Sequence, residues 1–367
     1  MANFEDVFDD VTKEGRKIPK ESYLSKGLYP IIDQGQEYIS GYTNDASGLY
    51  CKVPAIIFGD HTRIIKYVDT PFFLGADGVK LLRAKIPNAN YKYLYYALCN
   101  ARIPNTGYNR HFKWLKEVNI PLPGASKQER IVSVLDKVND LITLRKQQFS
   151  KLDELVKARF VEMFGDIIHN NMNWPTFLLS NVTNSRLGKM LDAKQQTGQY
   201  RFPYLANLNV QWFRFEIAEL NEMDFNEADQ KEFELKDGDL LVCEGGEVGR
   251  CAVWHDQVVP CYFQKALHRI RCNLEIIEPN YLSWWFKFHC DYNQFEDIVG
   301  SKATIAHLPG AKLKKLEVVV PPIDLQRQFS AFIDQVEKCK LTIQQGLDKL
   351  EMMKNALIQQ YFGDVNA

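Results

Sequence analysis

The chain has 367 residues, with 46% hydrophobic and 25% charged side chains, which is the composition of a folded chain long enough for two or three domains and excludes disorder as its main state. Lys and Arg (45) nearly balance Asp and Glu (46), and split along the chain the balance stays local: 16 basic against 13 acidic over 1–126, 8 against 7 over 127–166, 16 against 21 over 167–324, and 5 against 5 over 325–367. No segment is the basic stripe of a protein that coats nucleic acid, so any DNA contact must come from small patches and from partner subunits.

The first residues are acidic, unlike the start of a signal peptide, and no apolar run approaches the roughly 18 residues of a membrane helix. Eight scattered cysteines without a CxxC pair read as reduced thiols of a cytoplasmic protein, neither a disulfide framework nor a zinc site. Residues 1–126 form a mixed block of short β-type runs and turns. Residues 127–166 follow without proline until past 164 and read as one long helix. A second mixed block, 167–324, and a second long helix, 325–367, complete the order.

The two helical segments are copies. A constant offset of 198 aligns Gln128 with Gln326, Asp136 with Asp334, Val138 with Val336, and Phe164-Gly165-Asp166 with Phe362-Gly363-Asp364. Each copy follows a strand-like run that ends in proline, at Pro121 and Pro321. The apolar period is heptad, with Leu135, Ile142, Phe149, Val156 and Met163 along one row of the first helix. Phe329, Val336, Ile343, Leu350 and Leu357 form a row of the second. Because one helix leads into the second block and the other leaves it, the pair is expected to be antiparallel. These rows should then face each other, and Lys340, Lys354, Arg145 and Arg159 should extend their stems at the edge. Two unrelated surface helices are the competing reading, and the agreement of heptads with the repeat disfavours it. Gly346 interrupts the second helix and is expected to mark a close helix approach.

The blocks echo each other more weakly. Tyr29–Gly35 matches Phe202–Leu208, Val53–Gly59 matches Asp239–Gly245, and Gly78–Arg83 matches Ala266–Arg271. A helical stretch follows each set, at Tyr91–Leu98 and Tyr281–Phe286. The fold class is therefore mixed α/β of the α+β kind: two globular blocks separated by a pair of long antiparallel coiled-coil helices, with an internal pseudo-two-fold repeat.

This order, together with Ile120-Pro121-Leu122-Pro123 then Lys127-Gln128-Glu129-Arg130-Ile131, Val320-Pro321-Pro322 then Leu325-Gln326-Arg327-Gln328, and the run Asp239–Arg250, resembles the specificity subunit of type I restriction–modification systems. The resemblance covers essentially the whole chain. It implies two target-recognition domains, 1–126 and 167–324, each reading one half of a split, asymmetric sequence in double-stranded DNA. The helices 127–166 and 325–367 become a spacer on which two methyltransferase subunits dock, with restriction subunits joining the larger assembly. It implies a non-catalytic role in DNA methylation and host defence, with S-adenosylmethionine, ATP and Mg on the partners and no cofactor or membrane contact for this chain. Physically, two half-sites need two readers at fixed separation and phase, which a rigid helix pair supplies and a flexible linker does not.

Candidate contacts follow from residue chemistry. The segment Gly107–Trp114 mixes Asn109, Arg110 and Lys113 with aromatics in what reads as a loop; Arg suits guanine, Asn suits adenine and Lys suits phosphate. The plainer reading is a solvated loop before a strand, with Trp114 in the core. Ser301 and Lys302, in Gly300–Thr304, offer a small-residue approach plus a cation. Arg63 and Arg250 occupy matched loops and could reach phosphate or pair with a nearby acid. Lys265, in Phe263-Gln264-Lys265, could touch base or backbone. Gly245, Gly246 and Gly249 read as shaping a turn more than cradling phosphate.

Catalytic readings fare poorly. Val320-Pro321-Pro322-Ile323 lacks the polar residue and aromatic of a methyltransferase motif, no GxGxxG is present, and no His-x-x-x-His pair occurs. Glu234-Leu-Lys236 with Asp224 or Asp229 has the shape of a nuclease triplet within an acidic run. A protein-binding coiled-coil scaffold without DNA specificity and a self-contained metal nuclease are the alternatives.

Overall fold

The computed structural model describes residues 1–75, 78–107, 109–192, 196–295 and 307–363. The chain divides into two compact units, Met1–Gln147 with Ile343–Ala367, and Gln148–Thr342. Among the described residues no helix is long and apolar enough to cross a membrane.

The first unit is built on a four-stranded antiparallel sheet in the order Phe8–Asp10, Val79–Ala84, Ala55–Gly59, Ile65–Val68. Ala55–Gly59 is buried at every position, as a run of Ala-Ile-Ile-Phe-Gly covered on both faces should be. A three-stranded sheet places Tyr29–Ile32 between Gly41–Thr43 and Phe73–Leu74, the last pair parallel. The helix Tyr91–Cys99 starts at Asn90, whose side chain accepts the Tyr93 N–H, and buries Tyr93, Leu94, Ala97 and Leu98. A short clip pairs Ala2–Asn3 with Asn119–Ile120.

The second unit repeats both sheets and the clip in the same order and adds the hairpin Val210–Phe215. Its four-stranded sheet runs Thr183–Leu187, Leu267–Cys272, Leu240–Cys243, Cys251–Val253. Its three-stranded sheet centres Arg201–Leu205 between Asn221–Asp224 and Tyr262–Phe263, again with the last pair parallel. The helix Pro279–Asp291 follows, and the clip pairs Thr176–Leu178 with Glu317–Val319. The three segment matches expected between the blocks each fall on corresponding strands.

The long helices span Ala125–Phe164 and Ile323–Phe362. Both begin and end two or more residues before the expected bounds. The first stops because Gly165 takes φ +74°, a left-handed conformation that ends a helix cheaply only at glycine. They run antiparallel within each unit. In the first, Ile131 and Leu135 at the start of the central helix pack with Leu357, Tyr361 and Phe362 at the end of the terminal helix. In the second, Val156, Phe160 and Phe164 pack with Phe329 and Val336.

The seam between the long helices is not a strict heptad. Leu135, Ile142, Val156, Phe329 and Val336 are buried. Phe149, Ile343, Leu350 and Leu357 are half-buried, and Leu347, outside the expected row, is buried instead. Toward its end the central helix buries Val156, Phe160 and Phe164 in steps of four. The cause is that a straight α-helix, at 3.6 residues per turn, drifts against a seven-residue repeat. Lys340 snorkels as expected: its ammonium lies 2.7 Å from both Asp153 and Glu337 and 5.8 Å from the Phe149 ring centroid. Gly346 does not mark a close approach: a Cβ built there meets nothing within 4 Å.

Two pairs of repeated hydrogen bonds join each block to its helix. Tyr93 donates to the Pro121 carbonyl (2.9 Å) and Tyr281 to the Val319 carbonyl (2.6 Å). Gln128 donates to the Pro123 carbonyl (2.8 Å) and Gln326 to that of Pro321 (2.7 Å).

Candidate nucleic-acid interface

In the first unit the candidate residues converge on two adjoining loops. The loop after Ala55–Gly59 turns at Arg63, which adopts φ +62°, rare for a residue other than glycine. Asp60, buried, ties this loop to the next: its carboxylate accepts the Phe112 N–H (2.8 Å) and its carbonyl accepts the His111 N–H (2.7 Å). The His111 ring nitrogen also lies 3.0 Å from that carbonyl. Arg63 reaches across to the Ile103 carbonyl (3.3 Å), and the His61 ring lies 3.2 Å from the Asn109 carbonyl.

Arg63, Asn109, Arg110 and Lys113 thus belong to one edge of the unit. Asn109 is exposed and its amide donates to the Thr106 carbonyl (2.5 Å), which steadies the loop. Arg110 and Lys113 are exposed, the Lys113 ammonium 4.2 Å from the Trp114 ring centroid. The expected loop is partly helical, since Phe112–Leu115 forms one turn that anchors Phe112 and Leu115 in the core while Trp114 stays half-exposed. From Asn100 to Lys116 the chain carries Arg102, Arg110, Lys113 and Lys116 and no acid. Lys116 pairs with Glu5 (3.0 Å). This edge is the basic patch that the overall charge balance conceals.

The matching region of the second unit is built differently. Gly246 (φ +72°) and Gly249 (φ +86°) shape the Glu244–Arg250 turn, as their spacing suggested. Arg250 is a brace: only 16% of its side chain is exposed. It donates to the Asn207 carbonyl (3.1 Å) and pairs with Glu247 (3.2 Å). Lys265 is exposed on the turn Gln264–Ala266, whose Ala266 carbonyl accepts the Glu244 N–H (2.9 Å). Lys265 therefore adjoins the same loop as Arg250. Ser301 and Lys302 lie outside the described residues. The hairpin Val210–Phe215 had no sequence signal beyond its aromatics; Trp212 on it donates to Glu247 (2.6 Å) and joins the same edge.

No group of three or more metal-capable side chains occurs among the described residues, and the two aspartates of the nuclease-like run are engaged structurally. Asp224 accepts from the backbone and hydroxyl of Thr197 and from Gly198, while Asp229 pairs with Lys189 (2.5 Å).

The arrangement defines a class: a protein with two recognition modules of one fold, each braced by a long helix pair and presenting loops at one edge. Residues 2–154 and 171–352 match the family model described as the type I restriction modification DNA specificity domain, and the chain belongs to that family. Its role is the specificity role of that family, DNA recognition without catalysis of its own. The chain is 22% identical over 362 residues to the type I restriction enzyme EcoR124I/EcoR124II specificity subunit of Escherichia coli, covering 90% of this chain and 85% of the relative. In fold it is similar to the crystal structure of the S subunit of a type I restriction–modification system from M. genitalium. That likeness has a TM-score of 0.57, 16% identity, and covers 97% of this chain and 94% of the other. A chain of a type I R-M system solved in connection with complex assembly and conformational transition gives a TM-score of 0.55 at 15% identity, over 98% of this chain and 95% of that one.

Proposed function

We propose that the chain reads a bipartite, asymmetric DNA target, one half with residues 1–126 and the other with 167–324. The long helices, 127–166 and 325–367, would serve as the spacer. The observation that carries this reading is the duplication itself, since the same strand order recurs in both units with different loop chemistry at the same edge. Duplex DNA offers two antiparallel strands, and two unlike readers related by a repeat suit an asymmetric sequence.

In this reading Arg63, Asn109, Arg110 and Lys113 contact the first half-site. Arg110 and Asn109 suit bases and Lys113 suits phosphate. Lys265, with Ser301 and Lys302, serves the second. Arg250 shapes its loop and reaches DNA only if its bond to Glu247 opens.

Two methyltransferase subunits dock on the helix pair, one for each half, and restriction subunits join them. The support is the exposed apolar side chains the helices carry outside the seam: Leu141, Leu144 and Met352 in the first unit, Leu155 and Leu341 in the second. S-adenosylmethionine, ATP and Mg belong to those partners in the cytoplasm. The test is modified-base sequencing of host DNA after co-expression with the neighbouring methyltransferase. A methylated adenine in each half of a split motif, lost when either chain is omitted, is expected. Methylation without this chain would remove it as the reader.

A further inference from the structure

Each unit holds a groove where its recognition block meets a long helix, and the two differ at one point. In the first unit a cavity of about 430 Å³ is lined by Tyr67, Lys92, Tyr96 and Asp136. Asp136 is fully engaged there. It accepts from the Lys92 ammonium and from the Tyr96 hydroxyl, both at 2.6 Å, and the same ammonium lies 5.8 Å from the Tyr67 ring centroid. The first unit thus carries its own cation between a carboxylate and an aromatic ring.

The second unit has the carboxylate without the cation. The helix offset of 198 makes Asp334 the counterpart of Asp136. The repeated tyrosines Tyr93 and Tyr281, with their matching hydrogen bonds, place Asn280 at the position of Lys92 and Trp284 at that of Tyr96. Neither supplies the lost ammonium or hydroxyl, and Asp334 is exposed with no partner among the described residues. It lines a larger cavity, about 780 Å³, together with Asn280, Trp284, Phe213 and Glu154. Phe213 stacks on Trp284 at 4.6 Å with 17° between the rings, held there by a backbone at φ +62°. A left-handed aromatic residue at a hairpin tip is strained and persists only where its surroundings hold it.

We propose that this groove receives a basic side chain, an arginine in the best fit, from the methyltransferase subunit that docks beside it. The inference rests on the helix pair being the methyltransferase dock. Of the ionisable residues lining the cavity, Lys340 is shared by Asp153 and Glu337, and Asp291 is shared by Lys157 and Lys287. Arg214 pairs outside the groove with Glu216. Glu154 and Asp334 are left without a partner among the described residues, and the lining, with five carboxylates against four Lys and Arg side chains, stays acidic by one charge, which favours a basic occupant. A guanidinium meets both features, lying on the exposed face of Phe213, whose other face covers the buried Trp284, while donating to Asp334; an ammonium satisfies only the charge. Lys92 in the first unit is the internal template for the missing group.

Two variants of the full chain test this from opposite sides, each titrated against the methyltransferase. Asp334→Asn removes the carboxylate charge. Asn280→Lys rebuilds the arrangement of the first unit and fills the groove with the chain's own cation. Both are expected to weaken assembly about tenfold near 0.1 M salt, with the gap to wild type shrinking at 1 M, as for a screened charge contact. Asn280→Lys should melt no lower than wild type, which separates the loss from misfolding. An arginine-to-alanine scan of the methyltransferase should find one residue whose loss adds nothing in the Asp334→Asn background. Equal binding by wild type and both variants, or weakening by Asp334→Asn alone, would overturn the inference. So would a loss of DNA affinity by Asp334→Asn with methyltransferase binding intact. Failure of the wild-type chain to bind the methyltransferase at all would instead sink the docking reading on which it stands.

Discussion

Arg250 and Arg110 are residues of one type, both in loops at the block edges, with opposite surroundings. Arg250 is largely enclosed and spends its donors on the Asn207 carbonyl and Glu247, while Arg110 stands exposed in an acid-free segment. Replacing Arg250 with alanine therefore should act on stability. Loss of a largely buried charge-assisted bond and exposure of the carbonyl it covered cost about 1–3 kcal/mol, readable as a lowered melting temperature with the target motif unchanged. Arg110→Ala should leave melting unchanged and relax one half of the motif at a single base position, costing about 1–3 kcal/mol there if the contact is bidentate. Methylome sequencing of cells carrying each variant separates the two outcomes. The brace was not legible in advance, because the Asn207 carbonyl that fixes Arg250 is 43 residues away and arrives through the three-stranded sheet. The edge was legible in part: Asn109, Arg110 and Lys113 sit within one short segment, whereas Arg63 reaches them only through the fold, by its bond to the Ile103 carbonyl.

At the scale of elements, the long helices were legible because length, heptads and the 198-residue offset are all local or periodic features. What the heptad frame missed is the end of each helix, where Phe164 and Phe362 drop into the cores of the second and first units. Both lie outside the expected rows, and only the repeat itself, through Phe164-Gly165-Asp166 and Phe362-Gly363-Asp364, pointed to them. Phe164 packs edge-on against Tyr281 (4.9 Å) and Phe329 (5.4 Å), while Phe362 lies 5.4 Å from Tyr93. Truncation of either to alanine should cost about 3–5 kcal/mol, as for buried phenylalanines elsewhere. The unit that holds the replaced ring should open first in hydrogen exchange. Strand order was beyond reach for a different reason: strands of two to six residues carry too little pattern to name their neighbours. Gly346 gives the opposite experiment. With open space where its Cβ would be and no positive φ, Gly346→Ala should stabilise by about 1 kcal/mol, measured by denaturant midpoint at constant slope.

For the whole chain, charge sets how it can hold DNA. A net charge of −1 gives no long-range attraction, and the acidic second block opposes it. Among the described residues the cations taken as available at the two edges are Arg63, Arg102, Arg110 and Lys113 in one and Lys265 in the other, with Lys302 outside the described residues. Each phosphate neutralised contributes about 0.9 to the slope of log affinity against log salt. If all five of these described cations met phosphate, they would give the isolated chain a slope of about −4 to −5, with about one unit more from Lys302. It would fall closer to −3 if Arg63 and Arg110 are spent on other contacts. Assembly with the methyltransferase is expected to add cations, since the cations counted at the two edges are few. The slope should therefore steepen by several units on assembly while the motif stays that of this chain, measured by fluorescence anisotropy across a salt series with and without the partner. Lys113→Ala should remove about one unit in both states, whatever the DNA sequence, because a phosphate contact carries no base information. A slope for the isolated chain as steep as that of the complex would contradict this division of labour, in which the chain selects the site and its partners hold it.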